Sequence, residues 1–210
     1  TSVFISAGNH DPKTAKSYYN ILNWGENVHI FDTTMQKISL PECDIYGISF
    51  AQSYAEQSLL SGFTVQNTDK INLMLMHADL SGGAYNPITK EEIKTSGLDY
   101  LALGHVHKYS GIQQLGNTVC AYPGCPEGRG FDELGEKGVI VAEVEKNNVQ
   151  LRFEPVCKRI YHEVTVDVTD IVHHEGICAA IVRQINGSRD DLYKIVLTGE
   201  TDLDIDHQLL

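Results

Sequence analysis

Three times in this chain a strand-sized apolar stretch runs directly into a short loop that carries histidine. The junctions are Ser6-Ala7-Gly8-Asn9-His10-Asp11, Leu75-Met76-His77 and Leu103-Gly104-His105-Val106-His107. Sites in α/β sheets are built outside the carboxyl ends of strands, so this repeated junction restricts the chain to folds that bring the three loops to one edge. Four histidines and Asn9 then converge. Gly8 and Gly104 let the backbone turn sharply and let a phosphate or a metal approach main chain without meeting a Cβ. Imidazole nitrogen and amide oxygen are neutral donors, a set suited to Mn²⁺, Fe or Zn²⁺ more than to Ca²⁺ or Mg²⁺. A single histidine at a strand end is more often a hydrogen-bonded structural residue, so the weight rests on the three junctions occurring together.

Between the junctions the periodicity is mixed α and β. Residues 3–6 and 27–32 read as strands, 14–22 as a helix, and 37–40 with 44–50 as a hairpin across Pro41. The run 71–76 is almost continuously apolar, as in a strand buried on both faces. Thr89 followed by Glu92 is a capping-box pattern that predicts a helix over 89–96, and residues 100–103 form the next strand. From Ile112 the pattern is purely β, with strands at 112–115 and 118–122, a Gly- and Pro-rich loop over 123–138, and strands 139–145 and 149–155 pairing across Lys146-Asn147-Asn148. After a composition shift at Cys157-Lys158-Arg159, residues 161–168 read as a strand, 171–185 as a helix with Cys178, Ile181, Val182 and Ile185 on one face, and 193–197 as a strand. The reading is an α/β domain over 1–156 and a partial small α+β domain over 157–210.

Composition narrows the function classes. The 210 residues carry 16 Lys+Arg against 28 Asp+Glu, a formal net charge of -12, which argues against holding nucleic acid on a broad basic face and permits a carboxylate-rich metal site. The five cysteines are odd in number with no C-x-x-C, so neither a disulfide framework nor a zinc ribbon is indicated, and Cys120 and Cys125 read as packed thiols rather than a redox pair. No run reaches transmembrane length and the first residues lack a secretory pattern, which predicts a cytoplasmic chain without membrane attachment. Asp202, Asp204 and Asp206 imitate the start of a calcium loop without its glycine. His29, His162, His173, His174 and His207 lack converging partners.

In this order, Gly8-Asn9-His10-Asp11, an isolated strand-end His77 and Gly104-His105-Val106-His107 resemble the second half of the calcineurin-like metallophosphoesterase signature. The stretch from Tyr122-Pro123-Gly124-Cys125 to Asp132-Glu133 resembles more narrowly the SbcD-like DNA repair exonucleases, and most closely their YhaO-type branch. The resemblance implies a four-layer α/β/β/α sandwich followed by a small capping domain, and a site with two divalent metal ions, Mn²⁺ first, with Fe or Zn²⁺ as alternatives. It assigns Asn9, His77 and His105 to one metal, His107 to the other, and the role of non-ligand catalytic histidine to His10. Asp11 is placed to orient His10, or, more plainly, to cap the loop before Thr14. Arg129, in a Gly-flanked loop, is a weak candidate for substrate phosphate.

The chain also departs from the pattern. The family's Asp-x-His and Gly-Asp motifs, which supply the bridging carboxylate and most ligands of the first metal, have no counterpart here, since no Asp-x-His occurs in the sequence. This predicts a fragment with an incomplete site. The resemblance further implies metal-dependent phosphodiester hydrolysis on DNA ends, an SbcC-like coiled-coil ATPase partner and a homodimer. The alternatives are a small-substrate phosphatase or nucleotide phosphodiesterase, and a non-catalytic remnant acting as a binding module.

Overall fold

The computed structural model describes residues 1–204. Its chain is of the α/β class and divides into two units, one of residues 1–124 with 139–154 and one of 125–138 with 155–204. The first unit is built on a six-stranded sheet. β3 (Gln36–Ser39) and β4 (Cys43–Ile48) pair antiparallel across Pro41; β4, β5 (Ile71–His77), β6 (Tyr100–Gly104) and β8 (Thr118–Ala121) run parallel; β7 (Gln113–Leu115) closes the far edge antiparallel, in the order β3-β4-β5-β6-β8-β7. A separate parallel pair joins β1 (Val3–Ile5) to β2 (Val28–Ile30), and β9 (Gly138–Glu145) pairs with β10 (Asn148–Pro155).

The alternation along β5 shows how the sheet is dressed. Asn72, Met74 and Met76 are fully buried, whereas Ile71, Leu73, Leu75 and His77 are half-buried, so the strand has one sealed face rather than the two its apolar run predicts. Against the sealed face lie Tyr46, Ile48, Ile93, Leu98, Leu101, Leu103 and Tyr122. Ile93 comes from α2 (Lys90–Thr95), whose capping box forms as predicted: the Thr89 hydroxyl accepts from the Glu92 N–H and the Glu92 carboxylate accepts from the Thr89 N–H. The helix expected over 14–22 shortens to one turn, α1 (Tyr18–Ile21), with no buried residue. A helix that buries no face has no tertiary contact to offset its nucleation cost.

In the second unit β11 (Tyr161–Asp167) and β12 (Leu192–Thr198) pair parallel over seven residues, connected through α3 (His174–Gln184). The apolar face of α3 differs from the predicted one. Ile177 is fully buried, with Ala180 and Ile181 packed beside Val166 and Val168, while Val182 points to solvent at 69% exposure. The i, i+3, i+4 stripe therefore starts one residue before Cys178. Leu203 packs on this cluster; Asp206, His207 and the rest of the final six residues of the 157–210 segment lie outside the described residues. Among the described residues no helix is long and apolar enough to cross a membrane.

One buried charge organises the outer strands. Asp44, 2% exposed, lies 3.6 Å from Lys37 and 3.4 Å from Lys70. A hydrogen bond from Ser39 and the two lysines hold its carboxyl below the usual range, against its burial. A depressed carboxyl pKa contributes stability that is present above the unfolded value of about 3.9 and is lost as pH falls through the folded one. Asp44→Asn should lower stability at neutral pH by about 1–2 kcal/mol, and the gap between variant and parent should narrow below about pH 4. Urea midpoints measured across that range check both statements.

Candidate metal centre

The loop after β1 is fixed before any functional side chain is considered. The buried Ser49 hydroxyl, just past β4, accepts the Ala7 N–H at 3.0 Å and donates to the Phe31 carbonyl at 2.7 Å. The Ser6 hydroxyl donates to the Ile48 carbonyl, and the Phe50 N–H to the Ala7 carbonyl. The end of β1 is thereby stitched to the end of β4, whose parallel neighbour is β5, ending in His77. Gly8 then lies against the His77 ring: a Cβ there would sit 2.5 Å from His77 Nδ1. On the ring's other contacts, Phe50 approaches edge-on at 5.2 Å and His105 at 4.9 Å between centroids.

At this point three donor atoms from three junctions meet. His77 Nε2 lies 2.8 Å from Asn9 Oδ1 and 3.1 Å from His105 Nδ1. Donors about 2.0–2.2 Å from a common cation stand about 3 Å from one another, so the spacing fits one metal ion, and the set of two imidazoles and one amide fits a borderline divalent ion. Burial first, and then the neighbouring His105, push the His77 imidazole down to about 4; burial does the same to His105 more weakly. Both rings are neutral near pH 7, the form that donates a lone pair.

Surrounding groups aim the ligands. His105 is held at φ +114°, a conformation costly to any side chain, and such strain tends to sit at functional sites. Its outer nitrogen, Nε2, is 3.8 Å from Asp79 Oδ2, and the Tyr85 ring covers it at 5.1 Å. Behind His77, the fully buried Asn86 donates from its amide to the His77 carbonyl at 2.9 Å and accepts the Leu59 N–H at 2.6 Å.

Asn9, His77 and His105 are thus brought together. His10 and His107 are exposed, close enough for their charge to bear on both His77 and His105. Asp11 is turned away from the role of orienting His10: one oxygen accepts the Gly8 N–H at 2.9 Å and the other accepts the Tyr19 hydroxyl. It braces the loop, from the Gly8 side rather than as a cap before Thr14. Arg129 lies in the second unit, paired with Glu133 at 2.9 Å. Asp79 and Asn86 went unnoticed in the sequence, although Asp79 stands two residues after a strand-end histidine. Among the described residues no group of three or more His, Cys, Asp or Glu is arranged to hold a metal. The donors fit one cation and do not fit a pair.

No family model matches the chain. It is similar to the uncharacterized metallophosphoesterase YhaO of Bacillus subtilis, 28% identical over 179 residues, which cover 80% of this chain and 43% of that protein. The chain therefore spans less than half the length of this relative.

Because the Gly8 backbone and the His77 ring share one space, Gly8→Ala should displace the ring and weaken divalent-cation binding by at least about tenfold, while costing about 1–3 kcal/mol of stability. Calorimetric Mn²⁺ titration alongside urea unfolding separates the two effects; unchanged affinity would show that the His77 position is not set by this contact.

Proposed function

We propose that the chain carries part of the centre of a metal-dependent phosphodiesterase. The observation that carries this reading is the meeting of Asn9, His77 and His105 at the carboxyl ends of separate strands. Similarity to a metallophosphoesterase supports it. When bound, a divalent ion supplies Lewis-acid polarisation of the phosphate and acidifies the attacking water. The chain's residues supply the rest. Three neutral ligands leave the cation's charge uncompensated, which favours an anionic phosphodiester over what a carboxylate shell would allow. Asp11 holds the Gly8 amide and so fixes where Asn9 and His10 project. His10, exposed beside the three donors, is the group we assign to protonate the leaving oxygen.

The finer reading is Mn²⁺-dependent digestion of DNA ends, by a homodimer working with an SbcC-like coiled-coil ATPase that does most of the DNA holding. The net charge of -12 supports leaving that task to a partner. With it go a four-layer α/β/β/α arrangement and a capping role for the segment from residue 157.

Mn²⁺ titration of the chain should reveal one site, weakened by at least about tenfold in His77→Ala combined with His105→Ala, each ligand lost being worth that much or more. Equal binding by the double variant sinks the reading. Nucleotide release from end-labelled duplex DNA supports the finer proposal, whereas hydrolysis of bis-p-nitrophenyl phosphate with the duplex left intact assigns the centre to small substrates.

A further inference from the structure

Beside the centre, the loop from His10 to Trp24 encloses an open cleft of about 530 Å³, walled by His10, Asp11, Lys16, Ser17, Tyr19 and Trp24. Its size falls within the range of small-molecule sites. Three features of this cleft serve no part of the fold described above. The Tyr19 and Trp24 rings stack at 6.0 Å between centroids, 28° from parallel, yet Trp24 remains 38% exposed and Tyr18, the next aromatic along the wall, 74% exposed. α1, which presents Tyr18 and Tyr19, buries nothing. The Ser17 hydroxyl is buried and has no hydrogen-bond partner, although its position before α1 is where such a hydroxyl usually caps.

The cleft is also linked to the centre, sharing His10 and Asp11 of the same loop. The Tyr19 hydroxyl donates to Asp11, whose other oxygen holds the Gly8 amide, and Asn9 and His10 are the two residues between. A group lying against Trp24 is thus within one loop of the histidine assigned to the leaving oxygen. Flat aromatic faces beside a phosphodiester centre suit a nucleobase, because every base has a π-face to stack. The Lys16 ammonium, on the same wall, supplies a polar contact to the nucleoside.

We propose that this cleft is a base-stacking subsite, in which Trp24, backed by Tyr19, receives the nucleobase next to the scissile phosphate. The proposal rests on the phosphodiesterase reading and narrows its substrate to a nucleoside-bearing one. The exposed aromatics explain themselves on this account: they are left open because the substrate covers them.

Trp24 is the single tryptophan of the chain, so its emission reports on this cleft alone. Deoxyadenosine monophosphate, titrated without divalent cation, should quench it saturably, and ribose 5-phosphate should not. Equilibrium dialysis should find deoxyadenosine monophosphate affinity lowered at least about tenfold in Trp24→Leu and within about threefold in Trp24→Phe, as stacking requires. Circular dichroism confirms that each variant is folded, and the Phe variant keeps the test valid if the Leu variant is not. An equal response to ribose 5-phosphate, or undiminished affinity in a folded Trp24→Leu, overturns the proposal. So does emission that changes with chain concentration but not with nucleotide, which assigns the cleft to contact between copies. The titration needs neither metal nor turnover. Quenching without any cation site in the chain therefore fails the phosphodiesterase reading alone, and a cation site with no quenching fails the subsite alone.

Discussion

The buried Ser49 hydroxyl is the contact on which the arrangement of the centre depends. β1 and β2 form their own small sheet, so no strand ladder fixes them against β4. Beside single backbone bonds from Phe50 to Ala7 and from Ser49 to Asp32, this side-chain oxygen ties the two strands together by accepting from Ala7 and donating to Phe31, using both capacities of a hydroxyl at once. A buried hydroxyl satisfied on both sides contributes modestly in net terms but is costly to leave half-made. The loop carrying Asn9 and His10 departs one residue after Ala7. Phe31 in turn packs across Gly47, where a Cβ would meet its ring at 2.1 Å, so the two sheets close on each other at a position only glycine can occupy.

Much of this was readable from the residues. The three histidine junctions, the Pro41 hairpin and the Thr89–Glu92 capping box are local signals with local causes, and each appears in the fold where its pattern put it. What escaped was set at longer range. Asp11 sits next to His10 in sequence, but its carboxylate finds the Gly8 amide and the Tyr19 hydroxyl first. Apolar periodicity over 14–22 suggested a helix, and only tertiary contact, absent there, could have sustained it. The stripe of α3 was misplaced because two faces of a short apolar helix differ little in pattern, and the choice between them is made by β11 and β12. Asp79 and Asn86 carry no motif; their positions follow from the turns after β5, with Asn86 at φ +58°.

The charge pattern around the centre is consistent with its chemistry. The nearest groups are imidazoles and an amide, and two carboxylates stand off: Asp79 at 3.8 Å from the outer nitrogen of His105 and Asp11, bonded to the Gly8 N–H, whose charge bears on His77. A carboxylate at that remove polarises and aims a ring without adding a negative charge among the donors themselves. Neutral first contacts, with the anions Asp11 and Asp79 behind them, keep the field at the donors favourable to a cation.

The donors that meet at His77 are 68 and 28 residues away from it along the chain. No partly folded state that lacks either junction brings them within reach, and the closing of such long loops comes late and slowly in folding. A cation that occupies this point distinguishes the native chain from every other conformer, so its binding free energy is added to the free energy of folding. At a concentration one hundred times its dissociation constant this amounts to about 2.7 kcal/mol, which makes such an ion a clasp on the assembled sheet.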